Sequence, residues 1–189
     1  MSAQLSLFEE LITKAAPRRT FMTKTGLTVT EIPADLASYY VSIWHSVLPR
    51  CPKFLVHGRC YLADGDDGFP VAVAVWSAPV ARMLNGRGYY ELRRLAVAPD
   101  APENTCTSLL AAMRADIAAT MPEVETFLSY QDEVAHHGTI YKADNWQVGW
   151  RSTRATSSKS SWGKSRDGRG EMQSASPKIA WIKPARGKK

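Results

Sequence analysis

The sequence of 189 residues has few of the features that mark secreted or membrane proteins. It contains only three cysteines, Cys51, Cys60 and Cys106, with no Cys-x-x-Cys pair, so neither a disulfide framework nor a cysteine-based zinc motif is expected. No apolar run approaches the roughly 20 residues that cross a membrane, and residues 1–14 lack the apolar centre of a secretory signal. These absences predict a cytoplasmic protein with free thiols and no membrane partner.

Acidic residues are scarce at the C-terminal end, where the chain is strongly basic. Residues 1–150 carry 13 basic and 16 acidic residues, whereas residues 151–189 carry 11 basic and 2 acidic ones. Such a tail favours a polyanionic partner, most simply nucleic acid, although a solvated tail that only aids solubility is the alternative. The length suits one domain with a core. We therefore predict a helix and connector over residues 1–26, a catalytic domain over 27–152, and a basic, partly flexible tail over 153–189.

Hydropathy patterns predict alternating strands and helices. Apolar or alternating segments predict strands over residues 27–32, 54–63, 70–76, 89–97, 124–130 and 147–152, and a short edge strand over 178–182. Helical spacing and capping residues predict helices over residues 3–15, 34–47, 105–120 and 137–145. This order predicts an α/β (α+β) fold in which a mixed, mostly antiparallel central sheet is flanked by helices.

Charged side chains in the segment over residues 89–97 suggest a binding site. Strict alternation places Tyr90, Leu92, Arg94 and Ala96 on one face, and Glu91, Arg93, Leu95 and Val97 on the other. Charges within an apolar strand need a reason, and we favour a site over an exposed edge. The next helix begins near Asn104 and Thr105, with Ser108 in its first turn. Its N-terminal N–H groups could bind an anion or simply be capped.

Residues 129–146 contain the densest group of reactive side chains. The group comprises Ser129, Tyr130, Asp132, His136, His137, Gly138, Tyr141, Asn145 and Trp146. Few stretches this polar exist only to pack a core, so we predict the edge of an active site here. His45, near the end of the predicted helix over residues 34–47, is another candidate, with helix capping as the alternative. His45 and Asp132, with His136 or His137, also supply the ligand types of a non-haem iron site.

Four segments together resemble the Mom family of phage DNA-modification proteins. They are WHSVLPR, ELRRLAV, APENTCTSLL and LSYQDEVAHHGTIYKADNW, all within residues 38–150. The most specific part is SY-x-D followed by H-x-GTIY-x-A-x-NW. The resemblance implies a GNAT-like acyltransferase fold and an enzyme that converts adenine in DNA to N6-carbamoylmethyladenine. Such a modification protects phage DNA from restriction in the host cytoplasm.

The resemblance also bears on the donor. A glycine-derived donor, for example glycyl-tRNA, fits the transferred group, and acetyl-CoA is the alternative. GNAT enzymes usually bind their donor through a loop of the form Q/R-x-x-G-x-G/A, whereas residues 98–105 contain no glycine. An acetyl-CoA-dependent GNAT N-acetyltransferase is therefore the second interpretation, and a DNA-binding module without catalysis is the third.

The candidate residues receive roles on this basis. The GNAT resemblance places at Tyr141 the tyrosine that protonates the leaving group. We predict that Asp132 takes the proton of the adenine amine, that Ser129 orients the donor carbonyl, and that His45 completes the catalytic group. The predicted donor-binding residues are Arg93, Arg94, Asn104, Thr105 and Ser108. The predicted base-pocket residues are Tyr130, His137, Gly138, Asn145 and Trp146.

Overall fold

An eight-stranded sheet forms the centre of the protein in a computed structural model, which describes residues 19–46, 48–51, 57–152 and 176–186. The strands are β1 (Thr20–Met22), β2 (Thr28–Ile32), β3 (Arg59–Asp64), β4 (Pro70–Ser77), β5 (Tyr89–Val97), β6 (Thr126–Asp132), β7 (Gln147–Ser152) and β8 (Lys178–Pro184). The helices are α1 (Ala34–Trp44), α2 (Thr105–Thr120) and α3 (Thr139–Ala143), with a 3-10 turn at Arg82–Leu84. The predicted helix over residues 3–15, the start of the predicted strand over 54–63 and most of the tail lie outside the described residues.

The strands lie in the order β1-β2-β3-β4-β5-β6-β8-β7. All neighbouring strands are antiparallel except β5 and β6, which are parallel. This mixed, mostly antiparallel sheet with flanking helices confirms the predicted fold class. No helix among the described residues is long and apolar enough to cross a membrane.

The composition of β4 explains why helices cover both faces of the sheet. Ala72, Ala74 and Trp76 pack into the core on the side of α2, whereas Val73 and Val75 pack into a second core on the side of α1. Successive side chains of a strand point to opposite faces, so a strand that is apolar throughout needs a covering layer on each side. Full burial of each large apolar side chain contributes about 2 kcal/mol. We call the two sides the α1 face and the α2 face.

β5 and β6 are paired along only part of their length. Their parallel register runs from Tyr89 opposite Thr126 to Leu92 opposite Ser129. Beyond these residues the two strands no longer pair, and a cavity opens between them. The separation of β5 and β6 thus positions the candidate site.

A β-bulge in β5 contradicts the predicted faces of this strand. Trp76 pairs with Leu92 and Val75 with Arg94, so Arg93 is an additional residue between the two pairs. An extra residue reverses the alternation of the side chains that follow it. Arg94 therefore lies on the α1 face, and its predicted grouping with Leu92 is wrong.

The last strand is internal rather than at an edge. β8 pairs with β6 on one side and with β7 on the other, so β7 forms the edge of the sheet. Ile179, Ala180 and Trp181 are all buried, which an edge strand would not achieve as easily. The predicted short edge strand over residues 178–182 exists, but its predicted position is wrong.

The other element boundaries follow the predictions with local exceptions. β5, α2 and β7 match the predicted spans. β1 lies in the segment over residues 16–26 that was predicted to be a connector, and it pairs with β2. α1 ends at Trp44, and α3 is shorter than the predicted helix over residues 137–145.

Candidate active site

A cavity of about 640 Å³ lies where β5 and β6 separate. Trp44 and His45 line it at the end of α1, whereas Cys106 of α2 and Tyr141 of α3 line it from the other face. The separating strands and β8 contribute Glu91, Arg93, Arg94, Ser129, Tyr130, Gln131, Asp132 and Lys178. The lining of this one cavity therefore includes residues from both faces of the sheet.

Ser129 and Tyr141 form a buried hydroxyl pair in this lining. Their hydroxyl oxygens are 2.8 Å apart, and Ser129 Oγ donates to the carbonyl oxygen of Leu92 at 3.3 Å. With the serine proton used in that bond, the Tyr141 hydroxyl donates to Ser129. Burial raises the pKa of Tyr141 to about 12, against a smaller opposing effect of Ser129. The phenol therefore keeps its proton at neutral pH and is suited to protonate a leaving group.

Two tryptophans fix the ring of Tyr141. Trp181 stacks on it with ring centroids 5.4 Å apart and planes 17° apart, and Trp146 meets it edge-on at 5.5 Å. Trp146 Nε1–H donates to Asp144 Oδ2 at 2.7 Å, and Arg114 donates to both oxygens of that carboxylate, at 2.8 and 2.5 Å. Asp144 thus anchors the contact between Trp146 and Tyr141 from outside the cavity.

Gly138 is needed where the chain turns from β6 into α3. Its φ is +69°, and a Cβ at this position would overlap Gln131 Oε1 and lie 2.9 Å from Trp181 Cζ2. Gln131 Oε1 accepts a 2.7 Å hydrogen bond from Trp181 Nε1, and Gln131 Nε2 donates to the carbonyl oxygen of His136. Sequence analysis did not identify Gln131 or Trp181. A glutamine within the polar stretch was a usable signal, but nothing local marked Trp181.

The structure brings three of the five predicted base-pocket residues to the cavity. Tyr130, His137 and Gly138 line it. Trp146 is instead buried in the core, and Asn145 is an exposed turn residue with a φ of 54°. Burial, followed by the charge of Glu91, raises the pKa of Tyr130 to about 12, so its ring is uncharged at neutral pH.

Three charged residues of β5 lie at the cavity. Arg93 Nε is 3.2 Å from Glu91 Oε1, and Glu91 Oε2 accepts a 2.9 Å hydrogen bond from the Val80 N–H. Burial raises the pKa of Glu91, although Arg93 opposes this shift. Arg94 donates to the carbonyl oxygens of Arg93 and Arg50 at 2.7 and 3.0 Å. Both predicted donor-binding arginines therefore line the cavity. Arg93 is also paired with Glu91, and Arg94 also donates to two backbone carbonyl oxygens.

His45 and Asp132 both line the cavity. His45 Nδ1 accepts a 3.1 Å hydrogen bond from the Leu48 N–H, which assigns the proton of the neutral ring to Nε2. Burial lowers the pKa of His45 to about 4, with smaller effects of Arg94 and His136. The imidazole is therefore neutral at physiological pH.

The carboxylate of Asp132 is held by its own chain. Its Oδ1 accepts hydrogen bonds from the backbone N–H groups of Val134 and Ala135 at 2.9 and 3.2 Å, and its Oδ2 accepts one from the Ser176 hydroxyl. Within the described ranges, no three His, Cys, Asp or Glu side chains come close enough to hold one metal ion. The predicted iron site at His45 and Asp132 is therefore not assembled by these residues.

A family model places the chain among known proteins. The model of the Mom protein family matches residues 26–178, which is most of the sequence. The chain belongs to the Mom protein family. A search of curated proteins found no match.

Solved acetyltransferase structures share the fold of this Mom family member. The ribosomal-protein-S18-alanine N-acetyltransferase of Escherichia coli is 11% identical, with a TM-score of 0.58 over 86% of this chain and 96% of that one. The spermidine/spermine N-acetyltransferase of Vibrio cholerae is 6% identical, with a TM-score of 0.56 over 84% and 92% of the two chains. A Bacillus subtilis acetyltransferase in complex with CoA is 12% identical, with a TM-score of 0.53 over 84% and 97%. At these identities the likeness establishes the GNAT-like fold alone.

The loop between β5 and α2 fits the pyrophosphate of CoA poorly in this Mom family member. Residues 98–105 include two prolines, which lack an N–H, and two acidic residues, which repel an anion. The N–H groups of Ala101 and Thr105 donate to the carbonyl oxygens of Ala98 and Pro102. These features reduce the number of backbone N–H donors that the loop offers to an anion.

The predicted donor-binding residues of this loop are not part of the cavity lining. Asn104 is exposed and caps α2 in a left-handed conformation without a side-chain hydrogen bond. The Thr105 hydroxyl is buried and donates to the Pro102 carbonyl oxygen, and the Ser108 N–H donates to Asn104. Among these neighbours, Cys106 is the residue that reaches the cavity.

Proposed function

We propose that the protein transfers a glycine-derived group to the exocyclic N6 amine of adenine in DNA. The product would be N6-carbamoylmethyladenine, which would protect phage DNA from restriction. Membership of the Mom family supports DNA modification as the reaction class. The structural observation that carries the transfer chemistry is the buried hydroxyl pair of Ser129 and Tyr141 at the cavity between β5 and β6.

The acceptor side of the proposal requires an extruded base. The N6 amine is a weak nucleophile because its lone pair is delocalised into the ring, and in a duplex it is concealed by stacking and pairing. A cavity of about 640 Å³ has room for one base together with the reacting part of a donor. Tyr130 supplies a ring for stacking, and the Asp132 carboxylate is the group that receives the N6 proton.

The donor side of the proposal uses Tyr141. N6 attacks the carbonyl carbon of the glycine ester, and the ester C–O bond to the leaving alcohol breaks. The first product is N6-glycyladenine, an isomer of N6-carbamoylmethyladenine that converts to it by rearrangement without any change in composition. The leaving group takes the phenolic proton of Tyr141, while the N6 proton passes to Asp132, so the protons balance. Ser129 supports this role because it is the hydrogen-bond partner of the Tyr141 hydroxyl. Proton donation by a positioned side chain typically accelerates such a step by about 10² to 10⁴.

The nature of the donor separates this proposal from its alternative. The GNAT-like fold favours an acetyl-CoA-dependent N-acetyltransferase as the second candidate. The poor fit of residues 98–105 to a pyrophosphate supports a donor without CoA, for which a glycine ester such as glycyl-tRNA is suitable. Arg93 and Arg94, two of the three lysines and arginines that line the cavity, would face an anionic part of the donor.

Mass spectrometry of nucleosides tests the proposal. DNA from cells that express the protein and grow on isotopically labelled glycine should contain a modified deoxyadenosine that carries the label. The nucleoside must be fragmented, because a carbamoylmethyl group bonded through CH₂ and a glycyl group bonded through its carbonyl have the same mass. Unmodified DNA would contradict the proposal. N6-acetyladenine, together with tight acetyl-CoA binding in calorimetry, would support the acetyltransferase instead.

A further inference from the structure

An aromatic pair lies next to the cavity on the α1 face. The ring of Trp150 on β7 meets the ring of Tyr130 edge-on, with centroids 6.1 Å apart and planes at 70°. Tyr130 lines the cavity, whereas Trp150 lies outside the lining and is 36% exposed. Tryptophan carries the largest stacking surface of any side chain, and its exposure on an edge strand leaves part of that surface available to a ligand.

A β-bulge directs Trp150 to this face. Val148 pairs with Trp181 and Trp150 pairs with Ala180, so Gly149 is an extra residue in β7. Without it, alternation would place Trp150 on the same face as Val148. Ala180 also pairs with Tyr130. Trp150 and Tyr130 therefore flank the small side chain of Ala180 in one cross-strand row.

Helix α1 leaves this part of the sheet accessible. Among the described residues, α1 packs mainly on β3, β4 and β5 rather than on β6, β8 and β7. The next row on the same face contains Lys178 between Asp132 and Ser152, and Lys178 lines the cavity. The aromatic pair is thus continuous with the cavity and lies beside a cationic side chain.

The basic segment of the sequence starts and ends near this surface. Residues 153–175 contain five basic and two acidic residues. The segment follows Ser152 at the end of β7 and leads back to Ser176, whose hydroxyl donates to Asp132. The basic segment is therefore joined at both ends to residues beside the aromatic pair, and its net positive charge favours a polyanion as the ligand.

We propose that Trp150 and Tyr130 form a stacking platform for a base of the DNA strand whose adenine occupies the cavity. A base stacks on the exposed face of Trp150, Tyr130 fixes the indole by its edge contact, and the Lys178 ammonium faces a phosphate of the same strand. A base with its phosphate combines the flat apolar surface and the negative charge that this face accommodates. The inference rests on the proposed function in taking DNA as the acceptor.

The test measures binding rather than catalysis. The full chain is titrated into a labelled single-stranded oligonucleotide that contains adenine, and fluorescence anisotropy is recorded at several salt concentrations. Trp150→Leu keeps apolar bulk but removes the stacking face, so it should weaken binding about tenfold. Its salt dependence should stay unchanged, because no phosphate contact is lost. Lys178→Gln should instead reduce the salt dependence.

Val148 supplies the matched control. It is 46% exposed on the same edge strand but on the opposite face, so Val148→Ala should bind as the wild type does. Trp150→Phe keeps a smaller ring and should bind more tightly than Trp150→Leu. If a thermal melt of Trp150→Leu shows no unfolding transition, Trp150→Thr takes its place, because threonine is favoured in strands. The platform is refuted if Trp150→Leu, or Trp150→Thr in its place, binds DNA as tightly as the wild type. It is also refuted if Val148→Ala loses as much DNA affinity as the variant without a ring.

Nucleoside analysis of wild-type DNA separates this inference from the proposed function. A modified adenine in the DNA, combined with no effect of the Trp150 substitution, refutes the platform and leaves the proposed function standing. Unmodified DNA, combined with the expected loss of affinity, refutes the proposed reaction and supports the platform as a nucleic-acid site.

Discussion

Trp181 stacks on Tyr141, with ring centroids 5.4 Å apart and planes 17° apart. The two residues belong to β8 and α3, which are separated in sequence by β7 and by the basic segment over residues 153–175. The strand that follows the basic segment therefore supports the candidate proton donor directly. β8 pairs with β6 in a register that places Trp181 opposite Ser129, and this pairing brings the indole to the ring of Tyr141.

Replacement of Tyr141 by phenylalanine removes the proton donor and leaves the packing of the ring in place. We expect the rate of adenine modification to fall by about a hundredfold or more. Stability should change by about 1 kcal/mol at most, because Ser129 still donates to the Leu92 carbonyl oxygen. Quantitative mass spectrometry of nucleosides and denaturant unfolding measure the two effects. Near-normal modification by Tyr141→Phe would show that this hydroxyl is not the acid.

The pH dependence of stability should report His45. Its pKa is lowered from 6.5 to about 4 by burial, so the unfolded chain binds a proton more readily than the folded one. The stabilising contribution is fully present above pH 6.5 and is lost progressively as the pH falls towards about 4. Urea unfolding of the wild type across this range should therefore show a loss of stability that a variant without the imidazole lacks.

His45→Asn is the suitable variant for that comparison. The asparagine side-chain oxygen can replace Nδ1 as the acceptor for the Leu48 N–H, but it does not titrate. The difference between the two stability curves isolates His45 from other groups that titrate in the same range. Parallel curves for the two proteins would mean that His45 is not buried in its neutral form.

Elements were predicted correctly where the hydropathy pattern that defines them lies within one continuous segment of the chain. β5 and α2 match because their apolar spacing continues over the whole element and a proline-rich loop separates them. α3 is shorter than predicted because Gly138 and Asn145 both have positive φ values, which end helical geometry on each side. The membership of the Mom family was also visible in local motifs, and the family model confirms it.

Features that depend on partners distant in sequence were not predictable in this way. The bulge at Arg93 is defined by the register with β4, so it leaves no pattern within β5 alone. The position of Trp146 depends on Asp144 and on Arg114, which lies in α2. The internal position of β8 depends on its pairing with both β6 and β7, and the contact of Trp181 with Tyr141 spans 40 residues of chain.

Gly138→Ala should be more damaging than a glycine substitution at an equally strained but open position. Gly138 has a φ of +69°, and an added Cβ would overlap Gln131 and press on Trp181. Gly68 has a φ of +77° with no atom within 4 Å of such a Cβ, so Gly68→Ala measures backbone strain alone. We expect losses of about 3 kcal/mol and about 1 kcal/mol, respectively, in the free energy of unfolding. Equal losses would mean that Gln131 and Trp181 move aside without cost.

Asp144→Asn should destabilise the protein although Asp144 lies outside the cavity. Its carboxylate is only 10% exposed, receives both donors of Arg114 and the Trp146 Nε1–H, and lies 3.6 Å from Lys183 Nζ. Loss of its charge leaves a buried guanidinium without its counter-ion, which typically costs about 3 kcal/mol. The edge contact of Trp146 with Tyr141 should loosen as well, so the modification rate should fall more than DNA affinity does.

Glu133→Gln is the matched control for Asp144→Asn, because it removes a carboxylate from an ion pair with Arg151 whose side chains are 30% and 57% exposed. Exposed pairs contribute about 1 kcal/mol or less, so this variant should unfold close to the wild-type denaturant midpoint. The comparison requires unfolding curves and single-turnover modification rates for the two variants. If both variants lose the same small amount of stability, Asp144 does not anchor the Trp146–Tyr141 contact. If Asp144→Asn is destabilised but modifies DNA at the wild-type rate, the anchor is structural and the position of Tyr141 does not depend on it.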